Sequence, residues 1–292
     1  IHRFLELAHE KGIICLSYYP LIFNKQLRAI HPEWLVKILD EPEIKHGNRG
    51  WFCLNSPFRD WIIEYLNEWL DNMDLDGFYF DDTNIGSHSD KDLDIPEQPG
   101  CHCEYCEGLF REATGIRIPR KADFDSLDFR RYLVWRYKAW EDSIKHIFGG
   151  IKEKHPDAIL ELNYYTRPST SWVRGHPLNS LGLEEVGGHY FTEAGRSLRD
   201  VGYVTKVSRG KGVKFSLLRG GGQGSQSLLE VHQSVAPYPE EWAFSYPGLA
   251  CITNGATYFA NYTLPFLQRD AVKNAFKEFK KRADYLEGET VK

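Results

Sequence analysis

The sequence predicts an α/β fold, a (β/α)8 TIM barrel that lacks its first strand in this chain. Three observations carry the expectation. Seven short apolar runs alternate with amphipathic helical patterns, a helical pattern both opens and closes the chain, and 292 residues suit one large barrel domain. A doubly wound open sheet is the rival, but its Gly-rich phosphate loop is missing after the first strand-like run. Gly220-Gly221-Gly222-Gln223-Gly224 is rich in glycine yet lacks the Lys-Ser/Thr of a P-loop. Residues 1–292 are therefore expected to form a single catalytic domain, a fragment of a longer barrel, with 84–125 inserted as a mouth loop.

Each element has its own reason. Ile1, Phe4, Leu5 and Ala8 fall on one helical face and Gly12 follows as a stop, which predicts a helix over 1–11. The run Ile13 to Tyr19, bounded by Gly12 and Pro20, reads as a strand buried on both faces. Further strand-like runs are Trp51 to Leu54, Gly77 to Asp81, Ala158 to Tyr165, Val186 to Phe191, Val213 to Leu218 and Ala256 to Asn261. Ile62, Leu66, Trp69, Leu70 and Met73 make one helical stripe, and Leu133, Tyr137, Trp140, Ile144 and Ile147 make another. Val272, Phe276, Phe279, Ala283 and Leu286 make the last. Ser56-Pro57 suits the N-cap and first turn of the helix that runs to Met73.

Composition narrows the function. A chain that is 42% hydrophobic and 26% charged can bury a sizeable core, which excludes extended disorder. With 36 basic and 41 acidic residues there is no general field for nucleic acid or an anionic membrane. No run approaches the roughly 18 apolar residues of a membrane span, and the first residues do not read as a signal peptide. Further domains and homo-oligomerisation stay open.

In a barrel the chemistry sits at the C-terminal ends of the strands. Those ends are polar and aromatic: Tyr18 and Tyr19, Asn55, Asp81 and Asp82, Asn163 and Tyr165, His189 and Glu193, Arg219, and Asn261. Carboxylates, amides and rings converging on one mouth suit a polyhydroxylated ligand, because hydroxyls pair with the polar groups and sugar C–H faces pack on rings. A carbohydrate substrate is expected, with Tyr18, Tyr19, Asn55, Asn163, Tyr165, Arg219 and Asn261 as its contacts.

The segment Asp76-Gly77-Phe78-Tyr79-Phe80-Asp81-Asp82, preceded by Cys53-Leu54-Asn55-Ser56-Pro57 and by His31-Pro32-Glu33-Trp34, resembles glycoside hydrolase barrels related to α-L-fucosidases and family 42 β-galactosidases. The resemblance implies cleavage of an O-glycosidic bond and a nucleophile at Asp81, with Asp82 beside it. Physical chemistry asks for the same residue types, since an oxocarbenium-like transition state needs a carboxylate on one face and a proton donor at the leaving oxygen. Glu193 is the first candidate for acid/base, His189 the second and Glu161 the third. Side-chain alternation decides between the two aspartates: if Phe78 and Phe80 pack on the outer helices, Tyr79 and Asp81 point inward. A non-catalytic carbohydrate-binding barrel or a scaffold domain is the rival reading, distinguished by whether a second carboxylate faces Asp81.

Cys101-x-Cys103-x-x-Cys106 has metal-ligand spacing, and Cys53 is placed to complete a tetrahedral set. Family 42 β-galactosidases have a similar arrangement around zinc, which implies a structural Zn2+ here. His102 and His88 are alternative fourth ligands, and reduced thiols or a disulfide are the alternatives to metal. Cys15 and Cys251 sit in apolar runs and read as core thiols. Unpaired thiols point weakly to a reducing, cytoplasmic compartment. A histidine-based metallohydrolase is disfavoured, since no His-x-His or His-Glu-x-x-His spacing occurs.

Overall fold

The computed structural model describes residues 1–37, 51–81, 101–121, 123–163, 188–193, 215–219, 256–261 and 270–281. The chain divides into two compact units, Ile1–Asn163 with Pro168–His189, and Tyr164–Arg167 with Tyr190–Lys292. In the first, helix α1 (His2–His9) leads to strand β1 (Leu16–Pro20), α2 (Lys25–Ile30), a short 3-10 turn (Pro32–Trp34), α3 (Phe58–Asn72) and β2 (Gly77–Asp81). Then come α4 (Glu104–Thr114), α5 (Leu127–Lys154) and β3 (Ile159–Asn163). The second holds β4 (Gly188–Glu193), which begins in the first, then β5 (Phe215–Arg219), β6 (Ala256–Asn261) and α6 (Asp270–Lys281). Parallel strands separated by helices make this an α/β fold. Among the described residues, no helix is long and apolar enough to cross a membrane.

Helix α1 ends as its Gly12 predicts. Gly12 has φ +68, the left-handed conformation. Its N–H bonds to the His9 carbonyl at 2.8 Å while the Ile13 N–H reaches the Ala8 carbonyl at 3.0 Å, the paired bonds of a Schellman cap. At the start of α3 the Ser56 hydroxyl accepts from the Phe58 N–H at 3.3 Å, so Ser56 does serve the helix start.

Strands β1, β2 and β3 pair in parallel, with Tyr18 opposite Tyr79 and Tyr79 opposite Glu161. In the second unit β4 pairs with β5 and β5 with β6, also in parallel. One face of the first three strands is core. Phe78, Phe80, Leu160 and Leu162 are fully buried together with Ile62 and Leu66 of α3 and Ile144, Ile147, Phe148 and Ile151 of α5. Phe78 lies 6.3 Å from Trp69 and Phe80 5.4 Å from Phe148, centroid to centroid. Two close approaches set this packing. A Cβ on Gly77, which has φ +151, would stand 1.9 Å from the Ile159 carbonyl oxygen, and one on Gly150 would stand 2.8 Å from Ile63, where α3 meets α5.

Four expectations need correction. Trp51–Leu54 is not a strand between β1 and β2, which pair directly; it makes isolated antiparallel bridges from Trp51 to Phe23 and from Phe52 to Leu35. Ile13 and Ile14 are exposed, so β1 begins only at Leu16 and its Tyr18 faces solvent rather than a second core. The buried stripe of α5 runs through Phe129, Tyr132, Arg136 and Trp140 instead of Leu133 and Tyr137, because Phe110 of α4 packs edge-on against Tyr132 at 5.5 Å. Part of 84–125 is helix α4, closed by Gly115 at φ +76, rather than loop throughout.

Candidate functional site

Two constellations emerge in the first unit. The first lies on the sheet face opposite the helices. Since Phe78 and Phe80 turn toward α3 and α5, alternation places Tyr79 and Asp81 on the other face, as the parity argument requires. Register adds Tyr18 of β1 and Glu161 of β3 to that face. Tyr18 donates its hydroxyl to Asp81 Oδ2 at 2.9 Å and its ring lies 5.8 Å from that of Tyr79. Glu161 is buried, and burial pushes its carboxyl up to about 7. A carboxyl group poised near neutrality on the same face as a second carboxylate is an arrangement from which acid/base chemistry can be built.

Tyr19 does not join this row. It has the opposite parity, packs on Tyr65 and Trp69 of α3, and burial raises its phenol to about 12. Asp82 and Tyr165 lie outside the described residues, as does His88. Asn163, His189, Glu193, Arg219 and Asn261 belong to strands β3 to β6, but their side chains lie outside the described residues.

The second constellation is the cysteine cluster. Cys53, Cys101, Cys103 and Cys106 are all buried, and their sulfurs lie within 4.8 Å of one another. The backbone explains why they meet. The stretch Trp34 to Lys37 runs between the two cysteine-bearing segments: Cys53 N–H donates to the Trp34 carbonyl at 2.9 Å, Val36 N–H to Trp51 at 2.9 Å, and His102 N–H to Lys37 at 2.7 Å. Helix α5 closes the other side, where the Tyr132 hydroxyl donates to the Cys101 carbonyl at 3.3 Å. Cys103 is the N-cap of α4, where the helix dipole favours thiolate, and Cys106 sits in the first turn.

Cys53 and Cys106 have sulfurs 3.4 Å apart, well beyond the roughly 2.05 Å of a disulfide. Hydrogen bonds from Cys101, Cys106 and Cys53 hold the Cys103 thiol well below its ordinary range. Side-chain hydrogen bonding with Cys101 and Cys103 and burial push Cys53 up, and Cys106 follows for the same reasons. Four buried sulfurs this close cannot all ionise unaided, and a divalent cation is the species that would let them do so together. This buried cluster could hold a metal ion.

His102 is not the fourth ligand, because its Nε2 turns to the Pro119 carbonyl at 3.3 Å. Asn55, expected at the mouth, instead donates to Cys106 Sγ at 3.3 Å and lies 3.2 Å from the Ser143 hydroxyl. A cavity of about 30 Å³, room for about one water, is lined by Cys53, Asn55, Cys101, Cys106, Tyr132 and Arg136.

No family model matches the sequence, and no curated protein sequence matches it. Solved structures do match the fold. An α-L-fucosidase isoenzyme 2 from Paenibacillus thiaminolyticus aligns over 97% of this chain and 40% of its own, with 17% identity and a TM-score of 0.61. A β-galactosidase from Bacillus circulans sp. alkalophilus aligns over 98% of this chain and 49% of its own, with 14% identity and a TM-score of 0.64. The PgaB (BpsB) glycoside hydrolase domain from Bordetella bronchiseptica aligns over 92% and 76%, with 11% identity and a TM-score of 0.63. These neighbours are glycoside hydrolases. The chain spans less than half the length of the fucosidase and galactosidase chains, and at these identities the likeness is one of fold.

Sequence reasoning ranked Glu161 last among the acid/base candidates. The available signal was Ile159-Leu160-Glu161-Leu162, in which the charged residue alternates with two leucines that must face the helices. A group formed by His9, Cys15, Asp74 and Asp76 was missed altogether, because its members are up to 67 residues apart and share no spacing motif.

Proposed function

We propose that the chain is the (β/α)8 catalytic barrel of a glycoside hydrolase, a single domain over 1–292 that cleaves an O-glycosidic bond with a carboxylate pair. The observation that carries this is the placement of Asp81 and Glu161 on one face of adjacent parallel strands, with Glu161 lifted to about 7 by burial. Glu161 pairs with Tyr79, two residues before Asp81. Strands about 4.8 Å apart and a rise of about 3.3 Å per residue put their Cα atoms roughly 8 Å apart, within reach of the roughly 5 to 9.5 Å carboxylate separations that glycosidases use.

Asp81 is the nucleophile or essential carboxylate. Tyr18 orients it through Oδ2, and the carboxylate meets the sugar carbon or a water. Glu161, protonated near neutral pH, donates to the leaving oxygen; Glu193 and His189 are the alternative donors. Sugar faces stack on Tyr18 and Tyr79, and Asn163, Tyr165, Arg219 and Asn261 contribute further contacts. Asp82 is the alternative to Asp81 as nucleophile or essential carboxylate. Glu161 also supports catalysis over the purely carbohydrate-binding reading, which has no use for a carboxyl held near neutrality. Cys53, Cys101, Cys103 and Cys106 hold a structural Zn2+, whose closed four-thiolate coordination leaves no open position for substrate.

The test is turnover on a panel of aryl glycosides. Asp81→Asn and Glu161→Gln should each fold and each lose about a thousand-fold in kcat. Wild-type turnover in both variants would eliminate the mechanism. Oligosaccharide binding by a wild-type chain that turns over no member of the panel would favour the binding reading instead.

A further inference from the structure

At the opposite end of the same strands a second group of metal-type donors comes together. His9 is the last residue of α1, Cys15 immediately precedes β1, and Asp76 immediately precedes β2. One ligand atom from each lies within 4.8 Å of the other two. His9 Nε2 is 2.9 Å from Asp76 Oδ2, and its Nδ1 is 3.0 Å from Asp74 Oδ2. The backbone holds this arrangement firmly. Cys15 N–H donates to Asp76 Oδ2 at 2.6 Å, Asp76 N–H donates to the Cys15 carbonyl at 3.0 Å, and Ile159 N–H donates to the Asp76 carbonyl at 2.7 Å.

An imidazole between two carboxylates has limited choices. If neutral, it must point one lone pair straight at a carboxylate oxygen, which is repulsive. Carrying both protons removes the repulsion, and so does a cation lying between the lone pair and the carboxylate. Metal-bound histidines characteristically give their outer N–H to a carboxylate, which fixes the tautomer and aims the other nitrogen at the ion. Asp74 on Nδ1 has that outer position, and Nε2 faces Asp76, with the Cys15 sulfur within 4.8 Å of the group.

The distances are close to what an ion needs. Nitrogen and oxygen ligands at about 2.0 to 2.1 Å from a tetrahedral zinc lie about 3.3 Å apart, and a sulfur at about 2.3 Å lies about 3.6 Å from either. The observed 2.9 Å therefore has to open by only a few tenths of an ångström. A side-chain rotation of Cys15 brings in the sulfur. Access is available, with the His9 side chain 28% exposed and that of Asp76 35% exposed.

We propose that His9 Nε2, an Asp76 carboxylate oxygen and Cys15 Sγ form a second metal site, for a divalent transition ion of the zinc type, with Asp74 as the outer carboxylate and water in the fourth position. The mixed nitrogen, oxygen and sulfur donors select zinc over magnesium or calcium, which prefer oxygen alone. On binding, the thiol proton of Cys15 and the Nε2 proton of His9 leave to solvent. One thiolate and one carboxylate then balance the two charges of the ion, so the site is neutral and tolerates partial burial. The ion joins the end of α1 to the starts of β1 and β2. The inference stands apart from the glycosidase reading and from the four-cysteine centre.

The test uses the full chain, reduced and stripped of metal, titrated with Zn2+ and with Co2+. Cys15→Ser leaves the backbone bonds to Asp76 in place, and His9→Gln removes the imidazole. Each variant should bind one zinc fewer per chain than wild type. The Co2+ spectrum of that equivalent should show the weak charge-transfer band of a single thiolate, and this band should vanish in Cys15→Ser. A zinc count unchanged in either variant overturns the proposal.

Discussion

Replacing Glu161 by Gln should make the pH dependence of stability flatter, and the size of the change follows from burial alone. Burial lifts the carboxyl from 4.5 to about 7. Between those values the folded protein keeps the proton that the unfolded chain has released, so raising the pH favours unfolding. A shift of about 2.5 units at 1.36 kcal/mol each predicts that wild type loses about 3 kcal/mol between pH 4 and pH 8 on this account. Below the unfolded value both states are protonated and the penalty vanishes. Above 7 both are ionised and the loss is complete. Glu161→Gln keeps the shape of the protonated acid and cannot ionise, so its stability relative to wild type should rise by about 3 kcal/mol across the same interval. Urea denaturation of both proteins at half-unit pH steps reads the difference, with the slope against denaturant confirming that the unfolded states are comparable. A wild-type minus variant difference that stays flat from pH 4 to 8 would refute the premise that this carboxyl is protonated at neutrality, and with it the role of Glu161 as proton donor.

Two further outcomes follow from the architecture. Cys101→Ser should lower stability by about 4 kcal/mol, and chelator should bring wild type and variant to the same level; melting curves with and without chelator check this. Gly77→Ala should cost about 3 kcal/mol or more, since the added Cβ meets the Ile159 carbonyl in a conformation that disfavours side chains, and a denaturant midpoint close to that of wild type would contradict it.

Much of this site could be read from the sequence, for local reasons. In Gly77-Phe78-Tyr79-Phe80-Asp81, period-2 alternation assigns the faces once two aromatic residues are committed to the helices, and the structure buries Phe78 and Phe80 while leaving Tyr79 and Asp81 half-buried. The cysteine spacing brought together Cys101, Cys103 and Cys106 because six residues cannot carry them far apart, and Cys53 joins them as expected. What escaped depends on partners distant in the chain. An apolar run such as Trp51–Leu54 reads alike whether it enters a parallel sheet or makes two antiparallel bridges to Phe23 and Leu35. The turn of α5 that buries Arg136 is set by Phe110 and the thiol cluster, neither of which lies on that helix. Asn55 looked like a mouth residue by position, yet the cluster uses its amide as a donor to sulfur.

Three requirements meet in β2, and they separate what any such fold must keep from what chemistry adds. Gly77 is fixed by the close pass of β3, and Phe78 and Phe80 are fixed by α3 and α5. An α/β sheet without catalytic function would need all three residues just as much, so their presence says nothing about activity. Asp81 is different, because it is a carboxylate on the face opposite Phe78 and Phe80 and adds little apolar area to their core. Its side chain is engaged by Tyr18, on the face where Glu161 is also held without the solvation that would ionise it. Desolvating a carboxyl works against folding, by the same 3 kcal/mol or so reckoned above at neutral pH, and a leucine at position 161 would avoid that loss. That cost, carried on the face that also holds Asp81, is what the proposed proton transfer would use.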